Sequence, residues 1–244
     1  MKVIAWNLAH QIKKRPIPDY LVDVIQDLEG DTVLFNEYVD DEIREPFKDA
    51  MREAGYKWQA VSPTPAVHNQ IYAASKFEFD VGDLQPPQFD GSAISNFLHL
   101  KFADFPVEMV GMRAPAYEKA ADKHAYWDEL AGIMESVRDR SILFAGDVNY
   151  DPFKKAKQPD AKTVPFHLCD GYEIPNPEGD WSFLYHNGNG FRIDHVIHTP
   201  PVKVENVEYL DWIRGRFLAG EKIKKPVSDH AVLRFEVDYS PASS

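Results

Sequence analysis

The chain has 244 residues, 44% hydrophobic and 13% aromatic, a composition that can bury a large core and excludes wholesale disorder. A formal net charge of -12 at pH 7 argues against a generally basic nucleic-acid coat but leaves a local basic rim open. The one cysteine, Cys169, cannot close an internal disulfide, and no Cys/His spacing suits zinc.

Met1-Lys2 leads straight into Val3-Ile4-Ala5-Trp6, which reads as a core strand rather than a leader. With no apolar run near the roughly 18 residues of a membrane span, a soluble cytoplasmic chain is the expectation. The first strand is expected over Lys2–Leu8, with Asn7 near its end. Leu21, Val24, Ile25 and Leu28 then recur at helical spacing, and Gly30 is expected to close that helix at its C′ position. Thr32-Val33-Leu34-Phe35 is a second apolar strand ending in Asn36-Glu37-Tyr38. A strand, helix, strand opening of this kind marks an α/β layout.

A helix between Asp41 and Gly55 follows, with Pro46 in its first turn. Strands are then expected near Gln59–Val61, Gln70–Ser75, Phe77–Val81, Ala93–Phe102 and Val107–Met112, with Leu84–Phe89 as a proline-rich connection. The stripe Trp127, Leu130, Met134 and Val137 predicts a long helix over Glu118–Arg138. Ser141-Ile142-Leu143-Phe144-Ala145 reads as a strand buried on both faces. It stops at Gly146 and delivers Asp147, Asn149 and Asp151 in quick succession. Asp147 and Asn149, two residues apart, fit a metal or phosphate site at a sheet rim, and they fit an ordinary turn equally well. A lysine-rich loop over Phe153–Pro165, strands at Trp181–Tyr185, Ile193–His198, Val202–Leu210 and Ala231–Asp238, and a frayed tail over Tyr239–Ser244 complete the chain. The expectation is one domain over residues 1–238.

Several strands end in a residue capable of metal or phosphate chemistry: Asn7, Glu37, Arg113, Asp147 with Asn149, Asp194, and Asp229 with His230. Each has a plain alternative as a turn cap, a solvated strand end, a surface ion pair or a satisfied core histidine. Taken together, hard oxygen donors gathered in one place call for Mg²⁺ or a similar cation. A His beside an Asp, with a second Asp available, suits an oriented base or a charge-stabilising partner.

Five motifs occur in order: Trp6-Asn7, Asn36-Glu37, Gly146-Asp147-Val148-Asn149, Arg192-Ile193-Asp194-His195-Val196 and Ser228-Asp229-His230. In series they resemble the endonuclease/exonuclease/phosphatase superfamily, the deoxyribonuclease-I-like fold that includes exonuclease III and abasic-site endonucleases. Gln70–Ser75 and Trp181-Ser182-Phe183 are similar to lesser segments of that family. The resemblance implies an α/β fold, a four-layered sandwich of two packed mixed sheets flanked by helices. It also implies phosphoester hydrolysis dependent on a divalent metal, Mg²⁺ with Mn²⁺ as the alternative. It makes Glu37 the principal metal ligand, with Asn7 close by and Asp229 as a further acid near the metal. Asp147 and Asn149 become the pair that holds the attacking water and the phosphate. Asp194 and His230 become a pair in which the acid orients the imidazole. Two positions depart from the pattern: Asn36 stands where Gln is usual, and Arg113 where many members carry a Tyr or His that contacts the phosphate. An arginine at 113 can bind phosphate in bidentate fashion but cannot donate a proton at ordinary pH.

Charge placement bears on the substrate. Lys13, Lys14, Arg15, Lys154, Lys155, Lys157, Lys162, Arg214, Arg216, Lys222, Lys224 and Lys225 lie in three loops attached to these strand ends, and they are 12 of the 27 Lys and Arg residues. A basic rim round an acidic cleft suits a polyanion, although lysine is common in any solvated loop. Trp212 and Phe217 could stack on bases or belong to the core. A nuclease acting on nucleic acid, a phosphatase or phosphodiesterase acting on a small or lipid phosphate ester, and a non-catalytic phosphate-binding protein are the three functions compatible with the sequence.

Overall fold

A computed structural model describes residues 1–9, 17–63, 69–153, 171–220 and 226–238. Strand β1 (Lys2–Asn7) leads to α1 (Leu21–Asp27) and β2 (Thr32–Tyr38). A 3-10 turn at Glu42–Arg44 runs into α2 (Glu45–Glu53), and β3 (Trp58–Val61), β4 (Gln70–Ser75) and β5 (Phe79–Val81) follow. Next come α3 (Gly91–Ser95), β6 (Phe97–Phe102), β7 (Glu108–Arg113), α4 (Ala120–Val137) and β8 (Ile142–Asp147). The last elements are β9 (Phe183–Leu184), β10 (Gly190–Phe191), β11 (Asp194–His198), β12 (Lys203–Leu210), β13 (Trp212–Ile213), β14 (Arg216–Phe217) and β15 (Val232–Asp238).

Two mixed sheets result, one ordered β12-β15-β1-β2-β4-β3 and the other β11-β8-β7-β6-β5. Each contains one parallel pair, β1 with β2 and β7 with β8, joined across α1 and α4 respectively, because a parallel pair needs a crossover. The period-2 alternation of the strands sorts their apolar residues into layers. Val3, Ala5, Leu34, Ile71 and Ala73 of the first sheet meet Leu98, Leu100, Met109, Leu143 and Val196 of the second. Ile4, Trp6, Val33 and Phe35 point the other way, onto Leu21, Val24 and Ile25 of α1 and Phe47 and Met51 of α2. Val110, Phe144 and Ile197 cover the outer face of the second sheet beneath Trp127, Leu130 and Met134 of α4. The result is a four-layered α/β sandwich. None of the described helices is long and apolar enough to cross a membrane.

Some sequence expectations are corrected. The stretch 93–102 is not one strand. Asp90 caps α3 by accepting the Ala93 amide at 2.9 Å, and the strand begins only at Phe97. Gly30 does not hold the left-handed position after α1, which falls to Glu29 at φ 57°. Gly30 instead lies against Ile4, whose side chain fills the space a Cβ would need. The strand expected over 181–185 shortens to the two residues of β9, paired with β10 in a small hairpin. Trp212 and Phe217 are cross-strand partners in the β13–β14 hairpin, and at 53% and 41% exposure they are not core. Lys13, Lys14, Arg15, Lys154, Lys155, Lys157, Lys162, Lys222, Lys224, Lys225, Cys169 and the tail over 239–244 lie outside the described residues.

Candidate active site

The two parallel pairs bring four strand ends to one edge of the sandwich. Asn7 is the last residue of β1 and pairs with Asn36 of β2, while Arg113 of β7 pairs with Asp147 at the end of β8. Antiparallel β11 starts at this edge, so Asp194 is the register partner of Asp147. His230 arrives by the same logic, just before β15 runs antiparallel to β1.

Glu37 reaches the edge through an irregularity. The register of β2 against β4 shifts between Phe35 and Tyr38, and Glu37 sits at φ 56°. A bulge of this kind re-aims a side chain, and a non-glycine left-handed residue is held only where its surroundings demand it. Asn149 has the same conformation at φ 50°.

The side chains form two connected groups. In the first, Asn7 Nδ2 donates to Asp147 Oδ2 at 2.9 Å and to Glu37 Oε1 at 3.3 Å. Arg113 Nη2 lies 2.8 Å from Glu37 Oε1, and Arg113 Nε lies 3.6 Å from Asp147 Oδ2. Asp147 Oδ1 accepts the Asn149 amide at 2.9 Å, while Asn149 Nδ2 donates to the Ala114 carbonyl at 2.6 Å. Asp147 thus makes the turn its sequence allowed, one oxygen closing onto the residue two ahead while the other accepts from Asn7. Among the described residues Asp151 makes such a turn, accepting the Phe153 amide at 2.9 Å.

In the second group His230 Nδ1 donates to Asp194 Oδ2 at 2.9 Å, which leaves Nε2 with no hydrogen-bond partner among the described residues. The backbone on both sides of this pair is tied to Ser182. Its Oγ accepts the amides of Ile193 and Asp194 at 2.8 and 3.0 Å, and its carbonyl accepts the amide of Ala231 at 2.6 Å. Trp6 Nε1 holds the His230 carbonyl at 2.8 Å, and Ser228 Oγ bridges the Asn7 carbonyl and the His230 amide at 2.6 and 3.0 Å. Trp6, Ser182 and Ser228 had no assigned role in the sequence. All three lie in segments that carry the family resemblance, and Ser228 has in addition a local signal, a hydroxyl two residues ahead of the amide it accepts.

Burial and charge set the protonation states. Burial, reinforced by the Asp194 charge, pushes the Asp147 carboxyl up to about 6. Burial acts against a charged His230, but the Asp194 carboxylate and its hydrogen bond prevail and raise the imidazole to about 9. An acid poised near neutrality thus stands beside a histidine held cationic.

The sequence profile of the Endonuclease/Exonuclease/phosphatase family matches residues 4–230. The chain belongs to this family. Solved structures agree on the fold. An AP endonuclease from Archaeoglobus fulgidus superposes with a TM-score of 0.74 at 18% identity, covering 98% of this chain and 99% of that one. The 3′ phosphatase NExo from Neisseria, bound to a product DNA hairpin, gives 0.68 at 17% identity, covering 98% and 100%. A truncated TDP2 from Caenorhabditis elegans gives 0.65 at 16%, covering 98% and 97%. No curated protein sequence matches the chain.

Asn36, one of the two departures from the family pattern, has a structural task here. Its Nδ2 donates to the Met112 carbonyl at 2.8 Å and so links β2 to β7 across the sandwich. The divalent cation that the family implies can be tested against the donors. Among the described residues no three His, Cys, Asp or Glu side chains form a metal cage. A magnesium-type site needs none, since Mg²⁺ keeps several waters and takes one or two carboxylates plus substrate oxygens. Among the described residues this edge offers hard oxygen donors in Glu37, Asp147, Asp194 and Asp229. Asp229 Oδ1 is buried with no hydrogen-bond partner among the described residues. Hard oxygen donors and an orphaned carboxylate oxygen fit a divalent cation.

Proposed function

We propose that the chain is a divalent-metal-dependent phosphoesterase, and within that class a nuclease that hydrolyses phosphodiester bonds of DNA or RNA. Residues 1–238 are read as one catalytic domain. One observation carries the reading. The Asp194–His230 pair stands beside the Asp147–Asn149 corner, at the same sheet edge as Glu37 and Asp229. The names of the related structures, an AP endonuclease and a 3′ phosphatase bound to DNA, favour a nucleic-acid substrate. Trp212 and Phe217, both partly exposed, also suit stacking on bases.

The chemistry is an in-line displacement at phosphorus, in which a water oxygen bonds to phosphorus as the bond to the leaving oxygen breaks. Asp147, held at about 6, is ionised near neutral pH and takes the proton of that water. Asn149 is locked by its bonds to Ala114 and Asp147 and positions the water and phosphate. His230, cationic below about 9, directs Nε2 at the phosphoryl oxygen, and Asp194 fixes the ring. Arg113 binds phosphate through its guanidinium. Glu37 and Asp229, with Asn7 beside them, would hold Mg²⁺ or Mn²⁺. When bound, that ion polarises the phosphoryl oxygen and stabilises the leaving oxygen.

The test is digestion of plasmid, single-stranded DNA and RNA with Mg²⁺, against Asp147→Ala and His230→Ala. Cleavage that chelator and both substitutions abolish is expected. Intact polymers, together with phosphate release from a small ester, would replace the nuclease reading with the phosphatase one. No hydrolysis of any kind would leave a phosphate-binding protein.

A further inference from the structure

The same two cleft oxygens are claimed twice over. Glu37 Oε1 and Asp147 Oδ2 receive Asn7 Nδ2 from one side and the Arg113 guanidinium from the other. The Arg113 side chain is 14% exposed, and its Nε is buried without a hydrogen-bond partner among the described residues. The guanidinium is thus only partly satisfied where it lies. A divalent ion on Glu37 would sit about 2.0–2.6 Å from a carboxylate oxygen, closer than the guanidinium nitrogen stands now. Two positive groups on one carboxylate of low exposure repel strongly, because little water screens them.

We propose that Arg113 is a counter-ion of Glu37 and that a divalent cation bound at Glu37 displaces it. Without metal, the guanidinium keeps Glu37 and Asp147 from repelling one another. With metal, it is released from Glu37 and its donors become available to the substrate phosphate. Metal loading and substrate binding are thereby coupled through one side chain at the end of β7. The inference rests on the reading of Glu37 as a metal ligand.

The test needs no substrate. The full chain, stripped with chelator, is titrated with Mn²⁺ alone by calorimetry, alongside Arg113→Met, Arg113→Lys and Glu37→Gln. Arg113→Met should bind at least tenfold more tightly than the parent, Arg113→Lys should stay near the parent, and Glu37→Gln should bind more weakly. In chelator Arg113→Met should melt below the parent and recover more of its stability when Mn²⁺ is added. A second measurement uses the parent itself, in case Arg113→Met does not fold. The Arg113 Nε–H resonance should shift as diamagnetic Mg²⁺ is added. An Arg113→Met affinity equal to or weaker than the parent's overturns the proposal, and so does an Arg113 resonance unmoved at Mg²⁺ saturation. If Mn²⁺ binds and supports hydrolysis while those results hold, only this inference fails. If neither parent nor Arg113→Met binds Mn²⁺, the metal-dependent function fails with it.

Discussion

Gly146→Ala tests how the sandwich positions Asp147. Gly146 has φ 138°, a conformation that side chains rarely adopt, and an added Cβ would overlap the Met112 carbonyl oxygen. The next atoms in its way are Asn36 Oδ1 at 2.8 Å and Nδ2 at 3.0 Å. None of these can retreat cheaply. Met112 is the register partner of Gly146, and its carbonyl accepts Asn36 Nδ2 at 2.8 Å, so the two sheets are pinned at this point. Backbone strain of about 1–3 kcal/mol and overpacking of about 1–3 kcal/mol together predict a loss of about 2–6 kcal/mol. For a chain of this size that is a fall of about 4–24 °C in melting temperature. Urea unfolding followed by tryptophan fluorescence gives the free energy directly, with Gly132→Ala as the internal control. Gly132 lies inside α4 with nothing within 4 Å of a new Cβ, so alanine there should stabilise by about 0.5–1 kcal/mol. Gly146→Ala unfolding within about 1 kcal/mol of the parent would refute the close-approach argument. If it does lose stability, hydrolysis should fall as well, since any relief moves Asp147.

Ser182→Ala strips the buried amides of Ile193 and Asp194 of their acceptor, at a cost of about 1–3 kcal/mol, and should lower turnover through a misplaced Asp194–His230 pair. Unchanged turnover in a variant of lowered stability would limit Ser182 to a structural role. Asp194→Asn keeps the shape but removes the charge that orients and ionises His230, so hydrolysis should drop about 10²–10⁴-fold while the circular dichroism spectrum stays that of the parent. His99 predicts a pH dependence of stability. Burial lowers its pKa despite Glu108 at 2.7 Å, and its Nδ1 accepts the Leu84 amide at 3.2 Å, so the folded ring is neutral. Because the unfolded chain binds that proton more readily, stability should be complete above the unfolded pKa of about 6.5 and fall as pH drops below it. His99→Gln should flatten that slope between pH 7 and 5, and an unchanged slope would exclude His99 as its source.

Much of the layout was legible because its signals are local. The alternation in Val3-Ile4-Ala5-Trp6 and the apolar run before Gly146 depend only on neighbours along the chain, as does the stripe of α4. The same locality explains the errors. Asp90 stops a strand by capping α3, and Gly30 is required by Ile4 of β1 rather than by its own φ. Trp212 and Phe217 were ambiguous because stacking platform and core have the same composition, and exposure depends on what packs above them.

By itself the sequence determined which residue types arrive at strand ends: Asn7, Glu37, Arg113, Asp147, Asp194 and His230 are each carried by a short local pattern. Only the tertiary structure decided which atoms they share. Asn7 and Asp147 are 140 residues apart and belong to different sheets, yet one amide nitrogen joins Asp147 to Glu37. A bulge turns Glu37 into that junction, and Ser182 ties together the backbones that carry Asp194 and His230. Periodicity fixes the direction of a side chain relative to its own strand. The distance between two strand ends is set by how two sheets stack and twist, and that depends on the whole core at once.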